Sequence, residues 1–266
     1  MTTDNAFSRF EIRHLSASNL NLFISNLPLW IVTYLAKFET PKNAAMLRGD
    51  TIDLFIGKML QFQKSAEGGW EKTGAKISDE EIEKDADKFF NSALKNVDDE
   101  PEKISNEKAS VNKYLKAAMP FYKQLGAPTG YQTKIDLDIG LPVNLIGYAD
   151  LTYEGSVRDM KTSARALKEL PPPVQRQLSI YATALDVPLA VADYIVATKT
   201  RSEVITLECD DITKRFDEVY RAAAAMQNLL HNNDINSLIA QCYPDFQDWR
   251  WNKSTIEKAK SLWSIK

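Results

Sequence analysis

Hydrophobic and polar positions change rhythm twice along this chain. Up to about residue 125 the apolar residues recur at helical spacing, between 131 and 207 they alternate or run on, and after 210 the helical spacing returns. In the first stretch Ser16-Ala17-Ser18-Asn19 offers cap oxygens to a helix, and Pro28 should end or kink it before a second apolar segment at 30–38. Ile52, Phe55, Ile56, Met59 and Leu60 then share one face of an amphipathic helix, and Tyr114, Leu115, Ala118, Phe121 and Tyr122 form the buried stripe of another at 111–125. Residues 61–110, between these helices, read as an acidic, mostly helical insertion. It is broken at Glu67-Gly68-Gly69-Trp70 and again around Pro101, and it could form a wall or arch beside the fold or only pad it.

Residues 131–139 alternate as a strand should, and Gly140-Leu141-Pro142 turns the chain into the next. Two short apolar runs, 143–153 and 156–161, can then pair as a hairpin around Glu154-Gly155-Ser156. After Leu170-Pro171-Pro172-Pro173 a helix is expected over 174–185, then strands over 192–199 and 202–207, then a long helix over 210–230. Together these predict an α/β fold, a central mixed sheet flanked by helices, in a single domain of residues 1–266.

The candidate chemistry lies in the hairpin. Alternation puts Asp159 and Lys161 on one face of their strand with Val157, while Arg158 and Met160 point away. Pairing would bring Asp150 of the first strand towards Asp159 of the second. Two converging carboxylates suit a hard divalent cation such as Mg²⁺, which needs only one or two of them besides water and a substrate phosphate. A lysine beside such a metal can stabilise charge on the phosphate, and its pKa can fall inside a site, so Lys161 is expected to position or deprotonate the attacking water. The plainer reading of Asp-x-Lys at the end of an edge strand is a solvated surface pair. Gln177 and Tyr181 lie four apart on one helix face, where packing and capping are the alternatives to a role in the site. Asp50 and Asp53, three apart, could likewise only solvate their helix.

Composition narrows the setting. With 266 residues, 44% hydrophobic and 26% charged, the chain is ordinary globular material. Cys209 and Cys242, its two cysteines, supply neither a disulfide framework nor a zinc set, which fits a reducing cytoplasm. No signal peptide is read at the start, and 20–38 is too polar and broken for a membrane span, so a soluble protein without membrane partners is expected. The net charge of -3 argues against a protein that coats nucleic acid, yet the acid is uneven. It gathers at 78–87 and 98–102, while Lys161, Arg165, Lys168, Arg176, Lys199 and Arg201 surround the candidate site.

In order along the chain stand Gly147-Tyr148-Ala149-Asp150, Asp159-Met160-Lys161-Thr162-Ser163 and Gln177-Leu178-Ser179-Ile180-Tyr181. This set resembles the PD-(D/E)xK nuclease superfamily, and within it the RecB-like exonuclease branch that includes the CRISPR-associated RecB-like nucleases. The resemblance implies a restriction-endonuclease-like core and a metal-dependent deoxyribonuclease, an exonuclease of recombination, repair or phage DNA processing. It further implies Mg²⁺ or Mn²⁺ held by Asp150, Asp159 and the Met160 carbonyl, with Lys161, Gln177 and Tyr181 in catalytic or orienting roles. The family histidine that follows a glycine by four is replaced here by Asp53, whose carboxylate suits the same hard cations. Arg165, Arg176, Lys199 and Arg201 would meet DNA. The four cysteines of an iron–sulfur cluster are not present, so none is expected, and Trp249 and Trp251 are expected to fill its place by packing. A cytoplasmic setting in a bacterium or phage-infected host follows, with a recombination or helicase protein as a possible partner. Two other readings stay open: a non-catalytic DNA-binding relative, and a module active only with its partner.

Overall fold

The computed structural model describes residues 5–198 and 200–266. The chain forms two compact units, Met1–Thr40 with Ile135–Gly147 and Thr213–Lys266, and Pro41–Lys134 with Tyr148–Ile212.

In the first unit α1 (Ala17–Ser25) starts where the Ser16 side chain accepts the amide of Asn19. The helix ends at Ser25, so the break expected at Pro28 falls just ahead of that proline. It sits in the first turn of a new one, α2 (Leu27–Trp30), whose Asn26 cap accepts the amide of Leu29, because the missing proline N–H costs nothing there. The chain continues through a π-helical turn, Ile31–Leu35. Trp30 is fully buried and donates its indole N–H to Asn19 Oδ1 at 3.0 Å. Trp251 packs with Leu29, Val32 and Ala259, but Trp249 is 88% exposed, so only one of the two tryptophans expected to pack does so. The polar neighbours Asp248 and Arg250 pair with each other on either side of Trp249, and Trp251 follows at the burying position.

The second unit opens with α3 (Ala44–Met59), capped by Asn43. Residues 61–110 hold more than helix: β1 (Phe62–Lys64) and β2 (Trp70–Lys72) form an antiparallel hairpin closed by Gly68 at φ +87°, followed by α4 (Asp79–Ala93). Pro101 begins α5 (Pro101–Leu125), which runs unbroken past residue 110. The sheet consists of β3 (Gly130–Leu137), β4 (Leu145–Tyr153), β5 (Ser156–Ser163), β6 (Leu189–Ala197) and β7 (Ser202–Glu208), in that spatial order. β5 and β6 are parallel, joined through α6 (Pro172–Leu185), while β4–β5 and β6–β7 are antiparallel. The result is the expected mixed sheet with helices against it. Leu151, Met160 and Ile195 from the sheet meet Ile52, Phe55, Tyr114, Ala118 and Tyr122 from α3 and α5 in one core. No described helix is long and apolar enough to cross a membrane.

Candidate active site

β4 and β5 pair from Tyr153 opposite Ser156 to Leu151 opposite Arg158, with Gly155 at φ +71° supplying the turn. Continuing that register sets Asp150 opposite Asp159. There the Asp150 carboxylate itself takes the place of a backbone acceptor, receiving the Met160 N–H on Oδ2 at 2.7 Å. At Met160 the contact made with a site carboxylate is thus through the amide. Asp159 is 1% exposed, and Lys161, on the same face, reaches its Oδ2 with Nζ at 2.5 Å.

Asp53 comes from the middle of α3. The link between it and the hairpin is Gln132, whose Nε2 donates to Asp53 Oδ2 and to Asp150 Oδ1, both at 2.9 Å. Gln132 lies in β3 at φ +47°, a conformation that costs a side chain such as glutamine about 1 kcal/mol or more and that redirects the side chain from a regular strand. Nothing in the alternation of 131–139 singles it out. The neighbouring Tyr131 hydroxyl donates to the Asp53 carbonyl at 3.0 Å, and Gly57, one turn on, gives its ring room. A Cβ at Gly57 would lie 2.4 Å from a ring carbon.

Sequence reading also missed Arg48. It is 7% exposed on α3, stacks over Tyr114 at 4.5 Å, pairs with Glu107, and donates to Thr162 Oγ1 at 3.1 Å, while its buried Nε has no partner. Its partners stand 59 and 114 positions away, so only the fold assembles them. On α6, Gln177 donates to the Tyr181 hydroxyl at 2.8 Å, which confirms their shared face and fixes the Gln177 amide at the wall of the site.

Arg48, Asp53, Gln132, Asp150, Asp159, Lys161 and Gln177 all line one open cleft of about 620 Å³. Tyr181 stands behind Gln177, 5% exposed. Arg165, Arg176 and Arg201 are not brought to this cleft; Arg201 is exposed and pairs with Glu203. Lys199 lies outside the described residues.

The electrostatics of the cleft are unbalanced. Burial, then the charges of Asp159 and Asp53, hold Asp150 well above the usual carboxylate range. Burial and the neighbouring charge of Asp159 push Asp53 up to about 6. Burial alone would lower Lys161, but the Asp159 and Asp150 charges outweigh it and keep the amine above an ordinary lysine.

A divalent cation can be judged against these residues. Asp53 Oδ1 is buried without a hydrogen-bond partner, and every donor in the set is a carboxylate oxygen, the chemistry of Mg²⁺ and Mn²⁺. Among the described residues no three His, Cys, Asp or Glu side chains stand as a group that could together hold a metal ion. The set fits a hard ion held by one or two carboxylates and water, provided that the Gln132 amide yields its place.

No protein-family model and no curated protein matches this chain. Among solved structures it is similar to a "Putative exonuclease" from Eubacterium rectale, with 13% identity, 92% of this chain and 88% of that chain covered, and a TM-score of 0.49. It is also similar to SSO0001, with 14% identity, coverage of 85% and 93%, and a TM-score of 0.33. With TM-scores below 0.5 these likenesses carry no functional argument, which rests on the residues of the cleft.

Proposed function

We propose that this chain is a metal-dependent deoxyribonuclease of the RecB-like PD-(D/E)xK kind, acting from DNA ends as an exonuclease. The observation that carries the reading is the convergence of Asp53, Asp150, Asp159 and Lys161 on one open cleft, where burial and mutual repulsion hold Asp150 and Asp53 above the usual carboxylate range. One or two of Asp150, Asp159 and Asp53, with water completing the shell, would hold Mg²⁺ or Mn²⁺. When bound, such an ion supplies Lewis-acid activation of the attacking water and charge neutralisation at the phosphate. Lys161 remains protonated beside Asp159 and presents a positive charge to the phosphate oxygens, where charge grows as the bond breaks. Gln177, held by Tyr181, and Arg48, paired with Glu107, also line the cleft.

The bridging amide of Gln132 favours a second reading, in which the two carboxylates stay closed to metal and the chain binds DNA without cutting it, or cuts only when a helicase or annealing partner opens the site.

End-labelled linear and closed circular DNA, single- and double-stranded, with Mg²⁺, Mn²⁺ or EDTA, separates these readings beside the Lys161→Ala variant. Metal-dependent loss of linear DNA with circles spared, abolished in the variant, is the expected result. Binding without turnover on every substrate would move the assignment to the second reading, and cleavage unchanged in the variant would remove Lys161 from the site.

A further inference from the structure

A second groove, also about 620 Å³, lies in the same unit between the β1–β2 hairpin and the strands β3 and β4. It shares Gln132 with the candidate active cleft, so the two adjoin at the residue that bridges Asp53 and Asp150. Its walls combine two chemistries. Tyr148 is 52% exposed, an unusual state for a large aromatic in a strand, and stands two residues from Asp150 on the same face of β4. Trp70 faces the groove from β2, held edge-on to Tyr131 at 4.7 Å, and Tyr131 in turn packs on Phe62 at 5.6 Å. Lys64 and Lys134, both exposed, add positive charge, against Glu67 at the tip of the hairpin.

Aromatic faces set between cations recognise a chain of alternating bases and phosphates. Stacking needs a base face that the interior of a duplex hides, so the occupant is single-stranded. We propose that this groove binds the single-stranded DNA segment next to the bond being cut, with a base on Tyr148 and backbone phosphates at Lys64 and Lys134. The proposal rests on the nuclease reading for its meaning, since the groove leads to that cleft, but the binding it predicts does not need turnover. The β1–β2 hairpin then has a function: it carries Lys64 and Trp70 to the groove.

The test uses the full chain in EDTA and a short fluorescein-labelled oligo(dT), read by anisotropy across a salt series. Tyr148→Ala and Lys64→Ala should each weaken binding about tenfold. Lys64→Ala should also lower the slope of log affinity against log salt by about 0.7, the loss of one phosphate contact on a single strand. Tyr148→Phe, which keeps the ring, should bind as the parent does, and Tyr148→Ala should melt at the parent's temperature, which a misfolded variant would not. With Mn²⁺, hydrolysis of the small diester bis(p-nitrophenyl) phosphate by the parent reads the cleft separately from the groove. Parent-like oligo(dT) binding by both variants would overturn the groove while leaving the nuclease reading intact. Preference of the parent for a blunt duplex or for oligo(rU) would overturn single-stranded DNA as its occupant. Loss of oligo(dT) binding in the variants, with no diester hydrolysed even by the parent, would uphold the groove and defeat the nuclease reading.

Discussion

The two sides of β5 carry the same ingredients and resolve them in opposite ways. On one side Arg158 meets Asp193, which is fully buried, through two bonds of 2.8 Å, and Thr206 and Tyr122 donate to the same carboxylate at 2.6 and 3.3 Å. Every oxygen of Asp193 is occupied, and one cation answers one anion. On the other side one cation, Lys161, pairs with Asp159 while Asp150 and Asp53 add two more carboxylates, and Asp53 leaves an oxygen bare. A buried ion pair persists when its hydrogen bonds are complete. An incomplete set beside an open cleft persists when something from outside completes it. The balanced side needs nothing from outside; the unbalanced side is the candidate site.

Removing one partner from the balanced side should do the most damage. Asp193→Ala strands the Arg158 guanidinium, and about 3–5 kcal/mol of stability should be lost in urea unfolding; a variant as stable as the parent would erase the contrast. On the other side Lys161→Ala should lower DNA cleavage by about 10² to 10³-fold while its melting temperature falls far less than that of Asp193→Ala. Gly57→Ala sharpens the comparison from beneath the site. Its Cβ must displace the Tyr131 ring, which adjoins Gln132, so a loss of about 1–3 kcal/mol should accompany weakened cleavage. A loss of stability with full cleavage would detach Tyr131 from the site.

The smallest effect has the opposite sign. The folded-state pKa of Asp53, about 6, lies above the unfolded value of about 3.9. The folded protein therefore holds more protons than the unfolded chain between those pH values, and its stability falls as pH rises through that window. Metal-free protein should melt higher near pH 5 than near pH 7. Asp53→Asn should raise stability at neutral pH by on the order of 1 kcal/mol and flatten that dependence, with the Asp150 contribution remaining. A steeper dependence in the variant would contradict this.

The hairpin that carries Asp150, Asp159 and Lys161 was legible because its signals are local: alternation on both strands and a glycine where the turn needs positive φ. Gln177 and Tyr181 were legible because four residues is one helical turn. Gln132 and Arg48 were not. The first depends on a left-handed residue inside a strand, the second on partners 59 and 114 positions away. Pro28 and Pro101 do mark breaks, at residue 26 and at 97–100, but that each also opens the next helix from its first turn shows only once the caps are seen. The β1–β2 hairpin hid within an acidic stretch because each of its strands is only three residues long, too short for alternation to show.

The most direct test of the unbalanced side is titration calorimetry of Mn²⁺ into the metal-free protein near pH 6, in two buffers that differ in ionisation enthalpy. The account predicts saturable binding with protons released from the carboxylates, and its loss in Asp150→Asn. No binding by the parent, or equal binding by the variant, would contradict it.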